Sequence, residues 1–251
     1  MKIARLSHPD GPHFAVLNEE TGNYHLIQGD PLYAGVQPSG EVYSAGDARL
    51  VAPMLPRSKA LGLMVGHDWV VGEEQDLPAL AMKPNTAVAG PGAALAVPRG
   101  SKRAIVRPAL VAVIARPGRD VPVSRVKELV FGYTLGLEIF DGDAAAHPGS
   151  VQAAGFDASL GLGPVMETKF GEPEAISGTF VVGDRVTEID LENPIAQISE
   201  LISGASALTS FLPGDLVMLP IAAEASVATN GTHVSVKLEG IGTLTADVML
   251  G

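Results

Sequence analysis

Glycine and proline interrupt this sequence so often that long helices have little room to form. The 251 residues include 29 glycines and 19 prolines, which admit positive φ or fix φ and so break regular hydrogen-bond ladders. Between the breaks lie short apolar runs, such as ALVAVIA at 109–115, stopped by Arg116, Pro117 and Gly118. Apolar runs of that length bounded by turn residues read as buried strands. The expected fold class is therefore α+β, dominated by strands.

The pattern divides along the chain. Residues 1–52 read as a small N-terminal β domain, in which KIARL, HFAVLN and NYHLIQ are separated by turns at Pro9-Asp10-Gly11 and Thr21-Gly22-Asn23. A connector, VAPMLPRSK, leads into a main domain, residues 53–251. There, Ser124 is placed to cap a short helix through Val130, with Val126, Leu129 and Val130 on one face. PIAQISELI (194–202) predicts the longest helix, with Asn193 as cap, Pro194 at its first position and Gly204 ending it. Gly183-Asp184 predicts a hairpin with positive φ at both residues, and Asn230-Gly231 a second one. After the latter, Val234, Val236 and Leu238 alternate onto one strand face.

Composition excludes several functions. With 46% hydrophobic and 18% charged residues the chain can bury a sizeable core. Its formal charge of -11 opposes nucleic acid and anionic lipid, and no basic stripe is interleaved with aromatics. No apolar run reaches membrane-spanning length, and MKIARLSHPDG lacks the long apolar region of a secretion signal, so a cytoplasmic address is expected. The absence of cysteine removes disulfides, thiolate metal sites and thiol nucleophiles. No phosphate-cradling glycine loop, dinucleotide fingerprint or nucleophilic serine elbow is present, so no cofactor is expected.

Several segments, in order, resemble the fumarylacetoacetate hydrolase (FAH) family: RLVAPMLPRSKALG, MKPNTAVAGPG (82–92), LVAVIARPGRDV, VFGYTLGLEI, GFDASLGLGP (155–164), FLPGDLV (211–217) and LEGIGTL (238–244). The resemblance implies a mixed β-sandwich roll (FAH-like) and a homodimer. It also implies a Mg²⁺ or Mn²⁺ ion held by three carboxylates, because a hard cation takes oxygen ligands and steadies an enolate. Matched residue by residue, two of those carboxylate positions are Arg107 and Ala109, and the third is Glu138. Other positions depart as well: His67 and Val70 replace a tyrosine and a histidine, and Ala154 a lysine. The inherited metal site is therefore expected to be lost.

What replaces it frames the site. Glu138 reads either as a buried acid suited to proton transfer or as the partner of Arg107 in an ion pair between neighbouring strands. Glu138, Arg107 and His67 are the candidate catalytic residues. Lys83, Trp69, Met64, Leu137, Phe140, Ala109 and Ala154, with Val65 and Val70, are expected to line a mostly apolar pocket for a hydrophobic small molecule. Trp69 reads more readily as a core anchor than as a ligand wall, and Lys83 equally as a ligand contact or a loop brace. Asp141 and Asp143 could join Glu138 in a new metal site, but turn-forming aspartates are the plainer expectation. Ser159, Thr134 and Glu224 are further polar groups, while His8, His13, His25, His147 and His233 are expected at exposed or satisfied positions. The function expected is a metal-independent enzyme acting on an apolar carbonyl compound by cyclisation, isomerisation or lyase chemistry. A non-catalytic ligand-binding or partner subunit, and a metal-dependent enzyme with migrated ligands, are the alternatives.

Overall fold

The computed structural model describes residues 1–64, 77–144 and 149–251. The chain opens with β1 (Lys2–Leu6), β2 (His13–Leu17), β3 (Tyr24–Ile27), a helical turn α1 (Pro31–Ala34) and β4 (Pro38–Tyr43). Short strands follow: β5 (Leu50–Val51), β6 (Ala60–Leu63), β7 (Leu80–Lys83), β8 (Val88–Ala89) and β9 (Leu95–Ala96). Two long strands, β10 (Ala104–Ile114) and β11 (Val130–Asp141), form the centre. Next come α2 (Val151–Ala154), β12 (Leu160–Glu167), β13 (Ala175–Val182), β14 (Arg185–Glu192) and α3 (Pro194–Leu208). The chain closes with β15 (Leu216–Pro220), β16 (Ala225–Val227), β17 (Thr232–Leu238) and β18 (Gly242–Met249).

These strands build two mixed sheets, and the strand-dominated α+β expectation holds. The larger sheet runs β4-β3-β2-β1-β12-β11-β10-β15-β6-β7, and the smaller runs β14-β13-β17-β18-β9. β1 pairs with β12, so the N-terminal strands extend the sheet of the main body. β10 and β11 are buried on both faces. On one face Val106, Leu110, Leu135, Leu137 and Ile139 pack with the smaller sheet and with Ile198, Leu201 and Ile202 of α3. On the other, Ala109, Val111 and Val113 pack with Leu160, Leu162 and Met218. Burial on both faces is why ALVAVIA reads as an unbroken apolar run and not as an alternating one. Among the described residues no helix is long and apolar enough to cross a membrane.

Local readings hold in part. Val234, Val236 and Leu238 do share a buried face of β17. The segment after Pro122 is a 3-10 helix, Val123–Glu128, without a side-chain cap from Ser124, and Val130 already belongs to β11. At the β13–β14 turn only Gly183 takes positive φ, at 57°, while Asp184 does not. The turn at Asn230-Gly231 is not a hairpin: β16 pairs with β10 and β17 with β18 and β13, so the chain changes sheets there. Turn chemistry identifies a reversal but not which strands it joins.

α3 runs past its expected end to Leu208, and Asn193 precedes it in a left-handed conformation without side-chain capping. Gly204 is internal, where a Cβ would lie 2.9 Å from Pro78 Cδ. The glycine serves close packing and does not terminate the helix. Gly204→Ala is accordingly expected to lower stability by about 1–2 kcal/mol through overpacking, despite the roughly 1 kcal/mol helix-propensity gain. Urea unfolding checks this, and a stabilised variant would refute the packing role.

Candidate functional site

Strand periodicity assembles the site. Side chains alternate across a strand, so Arg107 and Ala109 of β10 share a face with Gly136, Glu138 and Phe140 of β11. The register sets Arg107 opposite Glu138. Arg107 Nε and Nη2 donate to Glu138 Oε2 at 3.1 and 2.9 Å. Nη2 also donates to the Leu63 carbonyl of β6 at 2.5 Å, and Nη1 reaches Glu224 Oε1 at 3.5 Å. Glu138 is fully buried and Arg107 only 3% exposed. A charge pair so desolvated persists because each partner removes the penalty of leaving the other unpaired.

The fork closes on one carboxylate oxygen and leaves the other bare. Glu138 Oε1 is buried without a hydrogen-bond partner among the described residues. It lies against Gly62 of β6, where a Cβ would be 2.8 Å from Oε1 and 3.0 Å from Met218 Cε. Gly62 therefore makes room for the carboxylate, and its neighbour Leu63 fixes the guanidinium.

A second buried cation flanks the pair. Lys83 is wholly inaccessible, and its Nζ donates to the carbonyls of Ala154 (2.7 Å) and Ile139 (3.2 Å) and to Ser159 Oγ (3.3 Å). The Phe140 ring lies 4.5 Å from Lys83 Nζ and 4.8 Å from Arg107 Cζ, so one aromatic quadrupole serves two cations. Burial pushes the Lys83 ammonium down to about 8, with Glu138 opposing the shift and Arg107 adding to it.

Of the residues expected at the site, Arg107, Glu138, Ala109, Phe140, Ala154 and Lys83 come together on this side of the large sheet, and Met64 packs beside Phe140, Ala154 and Ala81. Leu137 does not belong with them. It sits one residue from Glu138 on β11, so the two-residue period turns it into the core between the sheets. His67 and Trp69, with Val65 and Val70, lie outside the described residues, as does His147. Lys83 spends its donors on protein acceptors, the bracing alternative. Asp141 accepts from Ser101 Oγ (2.5 Å) and from the Asp143 amide (2.9 Å), while Asp143 accepts from the Lys102 amide (2.8 Å). The two aspartates thus shape a turn. Ser159 braces Lys83, and Thr134 Oγ1 is buried without a hydrogen-bond partner among the described residues. His25 and His233 are exposed, and His8 and His13 half-buried. Gly62 and the Leu63 carbonyl were not foreseeable from spacing, because β6 reaches the site only through its parallel pairing with β15.

Residues 64–249 match the family model for the fumarylacetoacetate (FAA) hydrolase C-terminal domain, and residues 1–53 match the Rv2993c-like N-terminal model. Protein Rv2993c of Mycobacterium tuberculosis is 29% identical over 268 residues, covering 99% of this chain and 98% of its own. The crystal structure of 5-carboxymethyl-2-hydroxymuconate delta-isomerase from Mycobacterium smegmatis superposes with a TM-score of 0.86 at 28% identity, covering 100% of both chains. The 2-hydroxyhepta-2,4-diene-1,7-dioate isomerase from Mycobacterium marinum gives 0.84 at 28% identity, covering 100% of this chain and 98% of its own.

Two outcomes test the electrostatics. Arg107→Met strands a buried carboxylate and is expected to cost roughly 3–5 kcal/mol, while the double variant with Glu138→Met costs much less. Additive losses in urea unfolding would mean the pair is not coupled. For Lys83, the unfolded chain keeps its proton up to the ordinary value of 10.5, whereas the folded chain releases it near 8. Between those values the unfolded state binds more protons, so stability rises with pH; below them both states are protonated and the burial penalty is fully present. Relative to Lys83→Met, the native protein should gain about 3 kcal/mol across that window, and a flat difference would show that Lys83 titrates normally.

Proposed function

This chain belongs to the fumarylacetoacetate hydrolase family, and from that premise we propose that it is a metal-independent enzyme acting on an apolar, carbonyl-containing small molecule. The observation that carries the reading is the Arg107–Glu138 pair. A guanidinium stands where the family resemblance puts a metal-binding carboxylate, and it spends its fork on the only one of the three matched positions that is still acidic. Ala109 offers no ligand atom. Glu224, the other carboxylate on Arg107, faces the same fixed positive charge. Among the described residues no cluster of three or more His, Asp or Glu side chains comes together as a ligand set. These residues do not fit a divalent cation, which needs several oxygen ligands and surrenders water reluctantly.

The chemistry that suits such a site moves protons without water or redox change. In an isomerisation, a carboxylate takes a proton from carbon beside a carbonyl and returns it to a different carbon, so one acid–base group completes the cycle. Glu138 takes that role, oriented by Arg107. The guanidinium stabilises negative charge as it develops on the carbonyl oxygen, an effect enhanced by low dielectric. Two proteins to which the chain is similar are named as isomerases, which supports this class over hydrolysis. Cyclisation and lyase steps draw on the same groups.

A second reading is a non-catalytic ligand-binding or partner subunit. The engagement of all three Lys83 hydrogen bonds with protein acceptors favours it, because that cation then serves the fold. The two separate in an assay of double-bond migration in a panel of neutral β,γ-enones after EDTA dialysis. We expect turnover independent of added Mn²⁺ or Mg²⁺, reduced about 10²–10⁴-fold by Glu138→Gln. Activity that appears only with metal would overturn the metal-independent reading, and an unaffected variant would remove Glu138 from the mechanism.

A further inference from the structure

The hydrogen-bond inventory of this site specifies more than a reaction class. Oε2 of Glu138 takes two bonds from Arg107, while Oε1 takes none from the described residues although it is fully buried. An unpaired buried carboxylate oxygen costs more than an unpaired neutral group. The site is therefore one hydrogen-bond donor short. Arg107 contributes the opposite feature: Nε and Nη2 are committed to Glu138 and Leu63, while Nη1, among the described residues, donates only to Glu224 across a long 3.5 Å. A donor edge and a bare acceptor thus belong to one ion pair.

The charges balance as well. Among the described residues, Arg107 and Lys83 are the cations here and Glu138 and Glu224 the carboxylates. Lys83 has its three donors on Ile139, Ala154 and Ser159. A carboxylate on the ligand would find only the Nη1 edge of a guanidinium already paired with Glu138 and Glu224, and would meet a carboxylate oxygen that has no donor of its own among the described residues. Like charges brought together in a dry site are strongly disfavoured.

Resting on the enzymatic reading above, we propose that the substrate is neutral at this position and carries a hydroxyl or enol donor beside a carbonyl, as in an enolised 1,3-diketone or a hydroxyketone. The hydroxyl donates to Glu138 Oε1 and the carbonyl accepts from Arg107 Nη1. A free acid in the same place is excluded. Gly62 then acts as a specificity residue, since its missing side chain leaves Oε1 its place.

A matched pair of probes tests this in EDTA-dialysed protein by calorimetry: benzoylacetone, neutral and enolised, and benzoylpyruvate, which has a carboxylate in place of the terminal methyl. Wild type is expected to bind benzoylacetone more tightly by about tenfold or more. Glu138→Gln keeps the shape and lets its amide oxygen stay on Arg107, so an NH₂ donor replaces the bare acceptor. That variant, checked for an unchanged unfolding transition, should lose the preference or reverse it. Equal or tighter wild-type binding of benzoylpyruvate without metal would overturn the neutral-substrate inference and leave a metal-free carbonyl site standing. Binding of benzoylpyruvate only when Mn²⁺ is added would overturn both. Failure of wild type to bind benzoylacetone at millimolar concentration would overturn the inference, as would an unchanged preference in Glu138→Gln.

Discussion

One ion pair organises this molecule's interior: the Arg107 guanidinium closed on Glu138 between the two central strands. Its strength is inseparable from its isolation. In water such a pair contributes little, because both charges are well solvated and screened. Sealed between β10, β11 and β6, each charge is costly without the other, so the register of the central strands and the position of β6 become electrostatically coupled. The Leu63 carbonyl extends that coupling by fixing Arg107 from a third strand.

The surroundings repeat the logic. Lys83 is enclosed by two carbonyls, a hydroxyl and an aromatic face, and desolvation still outweighs those partners enough to lower its proton affinity. The Phe140 ring lies within cation–π distance of both that ammonium and the guanidinium, softening the placement of two like charges in one apolar neighbourhood. The resemblance puts three anions around a dissociable metal at this place; this chain has covalently attached cations matched by a reduced set of carboxylates. On the proposed reading, permanent positive charge stands in for an exchangeable one, which changes what the site can recognise.

Much of the strand framework was legible in the sequence. The apolar run ALVAVIA, stopped at Arg116-Pro117-Gly118, gave the second half of β10, and alternation gave the buried face of β17. The errors share a cause. Gly204 reads as a helix stop because glycine has low helix propensity, yet packing against Pro78 overrides propensity. Asn230-Gly231 reads as a hairpin because the local chemistry fits, yet the strands on either side belong to different sheets. Leu137 is expected among the apolar pocket residues, yet as the strand neighbour of Glu138 it points to the opposite face, into the core.

By itself the sequence determined the strand-rich class, the family, and the substitution of arginine and alanine for carboxylates at two matched positions, because these depend on residue identity and local periodicity. The tertiary structure alone decided that Arg107 would use two nitrogens on one oxygen of Glu138, that Gly62 and Leu63 from a distant strand would shape the pair, and that Lys83 would be consumed by the fold. Those outcomes depend on which strands meet and at what register. Long-range pairing follows from the summed burial of two whole sheets, and no single segment of the chain encodes it.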